Sequence, residues 1–320
     1  MKIVTGLLTP VIIYALITLL HYYLPGRWID GYVTGSATGR KMRYRLNGKW
    51  VLLVCIAFWF VPGYLGWVPY DWLYQTRWYS LAGAAIIGLI YSLWIVAPYP
   101  STGKKLLADF FLGRLKNPQH FNKRADAKMW LYLIGTVMLE LNVMGFLAHR
   151  YMAYGQISPG ILLCGVLLTY FVCDYFVFEK VHLYTYDLIA ERVGMKLGFG
   201  CLTFYPYFYL VGLWATIDLP HPAIPGWLLI IYALVFFSGW SLARGANIQK
   251  YFFKTQPDKS FLGIMPETIS DGRHTLLVNG FWGLNPYGRW HSIECGISRH
   301  SPGMALSLVL CAVAEHPSAG

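Results

Sequence analysis

Charge is scarce in this sequence: Asp, Glu, Lys and Arg together make up 13% of 320 residues, about half the usual share of a soluble domain. So few charges cannot coat a water-facing surface on a chain of this length, which excludes a soluble globular protein. Cysteine is scarce too. Its six copies show no CxxC and no Cys/His zinc spacing, so neither a disulfide framework nor a metal site is expected. Cys55, Cys164, Cys173, Cys201 and Cys311 lie in or beside apolar stretches, and buried thiols are the expected state. Neither GxGxxG nor GxxxxGKS/T occurs, so a nucleotide would not be held by a Rossmann or P-loop fold. Repeats and low-complexity tracts are missing as well.

Apolar residues fill that gap, with 56% hydrophobic and 17% aromatic positions. A spanning helix needs about 20 mostly apolar residues. Seven stretches qualify, near 3–23, 50–68, 79–97, 129–149, 161–178, 197–216 and 227–243. An eighth, shorter run covers Met304–Ala314. The first stretch is too long and aromatic for a signal-peptide core and lacks a small-residue cleavage site, so it reads as a permanent helix. The fold class is therefore all-α, a polytopic transmembrane helix bundle. We divide it into an N-terminal half, 1–160, and a C-terminal half, 161–320.

The formal net charge of +11 would suggest nucleic acid in a soluble protein. Here the Lys/Arg counts of the successive loops decide otherwise. Loops 24–49, 100–128, 179–196 and 244–275 hold six, seven, three and five, whereas the intervening loops hold Arg77, Arg150 and none. This alternation is the positive-inside pattern, which keeps basic loops on the cytoplasmic side. It accounts for most of the excess charge and excludes a nucleic-acid partner.

Polar residues at membrane depth are costly and mark function or interhelical ties. Glu140 and Asn142 lie in one span, Asp174 in the next, and Glu179 at its basic-loop edge. They read either as structural ties or as the polar wall of a ligand cavity. Asp187 and Glu191, four residues apart, would share one helical face, either for acid–base work or as a solvated surface. The stretch Phe199–Trp214 is the most aromatic, with Tyr207, Tyr209 and a helix-breaking Pro206. Such a wall suits a flat apolar ligand, although ordinary packing accounts for it equally well. In the run 239–257, Asn247, Lys250 and Lys254 fall on one helical stripe with Arg244 at its edge. The stripe suits a multiply phosphorylated ligand or, alternatively, a lipid-headgroup anchor.

These segments, in order, resemble the sterol reductase family of sterol Δ14-reductase, 7-dehydrocholesterol reductase and the lamin B receptor membrane domain. The resemblance is carried by Tyr44–Gly48, Asp109–Arg114 with Asn117-Pro118, Lys128–Gly135, Met138–Asn142 and Asp174 with Glu179. Asp187, Gly198–Gly200, Arg244–Lys250 and Leu276–Gly283 complete it. Arg244–Asn247 and Glu267–Ile269 look most like the Δ14 branch. The resemblance implies a bundle of about ten spans that reduces a sterol ring double bond with NADPH, by protonation and hydride transfer, in an endoplasmic reticulum or bacterial inner membrane. It also implies a cofactor site on the cytoplasmic side of the C-terminal half. There Lys250 and Lys254 match phosphate-contacting positions (the second more often Arg), and Leu277 and Trp282 match residues bordering the cofactor. Candidates for the proton are Tyr207, Tyr209, Asp174, Glu179 and Glu140.

The sequence departs from the family at two places. Cys201 stands where the family carries Asp. Beyond Gly283 the family's Asn-Tyr pair and its later His-Arg…Lys-Tyr-Gly run have no counterpart, so the cofactor-covering part reads as incomplete. A non-catalytic sterol- or lipid-binding membrane protein, or an impaired reductase, is the alternative expectation. A transporter is a third reading, weakened because the two halves are not similar.

Overall fold

The computed structural model describes residues 2–35, 39–103, 105–220, 224–270 and 275–283. Six helices among them are long and apolar enough to cross a membrane: α1 Lys2–Tyr23, α3 Arg77–Val96, α4 Ala127–Tyr154, α5 Pro159–Val177, α6 Met195–Thr216 and α7 Gly226–Thr255. The expected second span is α2, Gly48–Tyr64, whose 17 residues fall short of a full crossing. The Met304–Ala314 run lies outside the described residues. α7 is longer than expected, because the cationic run continues the apolar helix without a break.

Local chemistry sets these boundaries. Asp126 caps α4 by accepting from the backbone N–H groups of Lys128 and Met129 at 3.0 and 3.2 Å. Gly155, left-handed at φ 68°, ends that helix. Ser158 and Pro159 then start α5. α6 is not uniform: a π-helical stretch, Gly200–Phe204, precedes the short helix Tyr205–Phe208 that carries Pro206. Asn142 of α4 donates to the Pro206 carbonyl at 2.9 Å, so its amide satisfies backbone beside the break.

α4 is the central post, buried over most of its length and packed on α1, α2, α5 and α6. A single apolar cluster runs from Ile13 and Val51 through Leu131–Phe146 to Leu202 and Phe236. α7 joins it through α5 and is otherwise largely bare.

The polar connections gather at two ends, as the alternation of basic loops requires. At the basic end, Tyr44, Met129, Leu183, Tyr184 and Leu188 form a small second cluster, with Tyr251 of α7 packed against it. Three two-stranded antiparallel hairpins add strand to the all-α expectation: Arg27–Thr34 with Lys41–Leu46, Gln119–His120 with Ala125–Asp126, and Thr268–Ser270 with Thr275–Leu277. At the opposite end, His149 of α4 faces Asp71 at 3.2 Å and Asp218 at 3.1 Å, and stacks on Tyr74. Arg150 donates there to the carbonyls of Ile217 and Leu219.

The Asp109–Arg114 motif is structural. Asp109 accepts from Ser101, Thr102 and Arg114, and these bonds hold its carboxyl well below the usual carboxylate range, with the Thr102 hydroxyl the largest contributor. Gly113 has φ +90°, and a Cβ there would lie 2.3 Å from the Val193 backbone. Only glycine lets this loop pass beneath the start of α6. Four described cysteines are free; Cys55, Cys164 and Cys201 are buried, but Cys173 is exposed, because it lies on a face of α5 that no other element covers.

Candidate functional site

The sequence-derived site residues separate into three groups. Arg244 and Asp174 are bound to each other as a buried ion pair joining α7 to α5. Arg244 Nε and Nη1 are nonetheless buried without hydrogen-bond partners. Glu140 accepts from Thr169 at 2.9 Å across the α4–α5 interface, leaving Oε2 unpartnered. Tyr207 shares a 2.6 Å hydrogen bond with Ser80 and so ties α6 to α3. Tyr209 packs edge-on against Tyr205, with centroids 4.6 Å apart.

The second group lies along the end of α7. Lys250 stands over the Trp282 ring and Lys254 over Tyr32, at 5.7 and 5.3 Å. Asn247 is half-buried on the same stripe. The segment carrying Leu277 and Trp282 is stitched to this helix. Gln249 accepts from Phe281 N at 2.9 Å and donates to Asn279 O at 3.1 Å, and Trp282 donates to Ala246 O at 3.0 Å. Gly245 makes this docking possible, since a Cβ there would meet the Phe281 ring at 2.4 Å. Leu277 is buried beside it. Sequence reasoning saw the cations and placed Gln249 between them, but did not assign it this docking role.

The third group lies between α4, α5, α6 and the Glu179–Ile189 segment. Glu179, on the short helix Glu179–His182, is buried, and that burial raises its carboxyl to about 7 against the opposing pull of the Gly48 N–H and Lys49. His182 stacks on Tyr175 at 4.2 Å, and burial lowers it to about 3. Among the described residues, neither His182 Nε2 nor Tyr175 Oη has a partner. Tyr132 donates to Asp187 Oδ2 at 2.8 Å. Lys128, wholly buried in the first turn of α4, donates to the carbonyls of Asp187 and Leu188 at 2.8 and 3.1 Å.

This last contact corrects the expectation for Asp187 and Glu191. The helix Tyr186–Ile189 has four residues, because Lys128 takes two carbonyls that a longer helix would bond internally. Glu191 therefore lies past its end and pairs with Lys196. Lys128 and Tyr132 were themselves missed as site residues. The available signal was a lysine four residues before a tyrosine, which puts both on one face of an apolar helix.

The six spanning helices define a polytopic helical membrane protein, with buried carboxyl, phenol and imidazole groups gathered at its basic end. The chain belongs to the ergosterol biosynthesis ERG4/ERG24 family, which it matches over residues 6–289. It is 29% identical over 309 aligned positions to a protein of Arabidopsis thaliana named Delta(14)-sterol reductase, covering 87% of this chain and 79% of the relative. A protein of the same name from Methylotuvimicrobium alcaliphilum is 25% identical, covering 83% of this chain and 63% of its own length. A 7-dehydrocholesterol reductase from Xenopus laevis is 28% identical, covering 83% and 60%.

Proposed function

We propose that this protein reduces a ring double bond of a sterol, the Δ14 bond, using NADPH. The observation that carries the reading is the pair Lys250 and Lys254, one turn apart on α7 and each over an aromatic ring, beside a buried cluster of tyrosines and carboxyl groups. The Δ14 position is favoured by relatives named Delta(14)-sterol reductase from a plant and a bacterium.

The residues fit a dinucleotide phosphate group. Two half-buried lysines supply charge-assisted contacts. Arg244 offers two buried donors that lack partners, and Asn247 lies on the same stripe. Leu277 and Trp282 would border the cofactor where Gln249 holds their segment against α7. When bound, NADPH would supply hydride. An isolated alkene does not accept hydride until a proton has made it electrophilic, so the protein must hold an acid against the sterol and keep water out. The buried site between α4, α5 and α6 suits that task, and the aromatic α6 gives a flat apolar ligand its wall. In this reading the C-terminal half, 161–320, carries the cofactor and shares the sterol site with α4, and the basic end faces the cytoplasm from an endoplasmic reticulum or bacterial inner membrane.

The test is reduction of a Δ8,14 sterol by the full chain, purified in detergent and supplied with NADPH, with the product resolved by mass spectrometry. The expected product is two mass units heavier. A chain that neither binds NADPH nor reduces the sterol would instead be a non-catalytic sterol- or lipid-binding protein.

A further inference from the structure

We infer that Tyr132 is the acid that protonates the sterol alkene, that Asp187 re-protonates it, and that Lys128 is the positioning residue that fixes Asp187; this rests on the reductase reading above. A proton donor here needs a transferable proton, a route for its replacement and a place near the hydride source. Of the other buried acids, Asp174 is bound to Arg244, Glu140 accepts from Thr169 and Tyr207 is bonded to Ser80, whereas the Tyr175 hydroxyl has no partner among the described residues to replace a proton it gives up. Glu179 accepts the Gly48 N–H at the edge of the bundle.

Tyr132 and Asp187 meet all three requirements. Their hydrogen bond is 2.8 Å long and links α4 to the Tyr186–Ile189 helix. Asp187 is half-buried, so its carboxyl can exchange with water while the phenol stays inside. Asp187 acts electrostatically on Lys250, the phosphate-binding candidate, and on Cys201. Beside Tyr132, the Tyr175 ring lies 6.2 Å away with an unpartnered hydroxyl, which marks space that a ligand group can satisfy.

The step balances. The Tyr132 O–H bond breaks as a C–H bond forms on one alkene carbon, and the other alkene carbon becomes cationic. NADPH, when bound, would supply the hydride that this carbon requires. The phenolate is re-protonated through Asp187, whose carboxylate takes a proton from solvent hydronium and passes it to the phenolate, returning to the carboxylate that accepts the Tyr132 hydrogen bond. Lys128 contributes by geometry. Its ammonium, wholly buried, grips the carbonyls of residues 187 and 188 and so aims the Asp187 side chain at Tyr132.

The experiment compares wild type, Tyr132→Phe, Asp187→Asn, Lys128→Met and Lys128→Arg as full chains in detergent. It measures sterol turnover against pH in H2O and D2O, NADPH affinity by titration, and thermal melting. Tyr132→Phe keeps the ring packing and is expected to melt near wild type and bind NADPH within about twofold. Its kcat should fall by about 10²–10⁴, the usual contribution of a general acid. Asp187→Asn should lower kcat and flatten the pH profile. Lys128→Met should lower kcat with a shifted profile, and Lys128→Arg should restore both in part. Full turnover with an unchanged isotope effect in Tyr132→Phe overturns this inference while leaving the reductase reading intact. A folded wild-type chain inert toward NADPH and sterol overturns both.

Discussion

Converting Asp174 to Asn tests the Arg244–Asp174 pair directly. The two side chains are 6% and 4% exposed, so Arg244 has almost no water to fall back on when its carboxylate is removed. Its Nε and Nη1 already lack partners. Breaking one side of such a pair costs about 3–5 kcal/mol, because an uncompensated charge is left buried. At roughly 2–4 °C per kcal/mol, the melting temperature in detergent should fall by about 6–20 °C. The double variant Asp174→Leu/Arg244→Met removes both charges and should recover most of that loss, since apolar replacement of a buried pair is often neutral. Melting of Asp174→Leu, Arg244→Met and the double variant gives the coupling energy. A loss below about 1 kcal/mol for Asp174→Asn, or simple additivity in the double variant, would refute the reasoning. Arg244 would then be held by something other than Asp174.

Three further outcomes follow from the same structure. Lys250→Ala should weaken NADPH binding by about 1.5–3 kcal/mol, the worth of a charge-assisted contact, and unchanged affinity in a titration would return the stripe to a lipid-anchor role. Glu179, raised by burial to about 7 from 4.5, holds its proton more tightly folded than unfolded. Its contribution to stability is complete below about 4.5 and is lost as pH rises to about 7, so melting should decline over that window and the slope should shrink in Glu179→Gln. Gly113→Ala should lower the melting temperature sharply, because it adds a Cβ at φ +90° only 2.3 Å from the Val193 backbone; an unaltered melt would show that this loop can move aside.

Most of the helical frame was legible because composition and loop charge are summed over many residues. The spans were found from apolar length, and the alternation of basic loops anticipated which connections share an end. α2 was read too long, since Leu65–Val68 are apolar yet follow the helix end. The hairpins were missed because a short polar connection carries no period long enough to read. The site was legible only where its chemistry is local. Lys250 and Lys254 lie within one turn of each other, so the stripe was visible. Arg244 and Asp174 lie 70 residues apart, and nothing in either neighbourhood announces the other. The supposed helical face of Asp187 and Glu191 was undone by Lys128, about 60 residues upstream. A three-dimensional contact there overrides a correct rule about spacing.

The exposed flank of α7 gives that helix the mechanics of a cantilevered beam. Its buried residues are Phe236, Arg244 and Gln249, so the Arg244–Asp174 pair is the charged clamp of the helix, and beyond it Gln249 and Tyr251 brace the cationic end against the 279–282 segment and the Tyr184 ring. Lys250 lies six residues beyond Arg244, a lever arm of about 9 Å at 1.5 Å per residue. A tilt of roughly 6° about the clamp would carry its ammonium about 1 Å, a misplacement able to slow an oriented reaction about a hundredfold. The ion pair can therefore govern the rate by setting the angle of the beam.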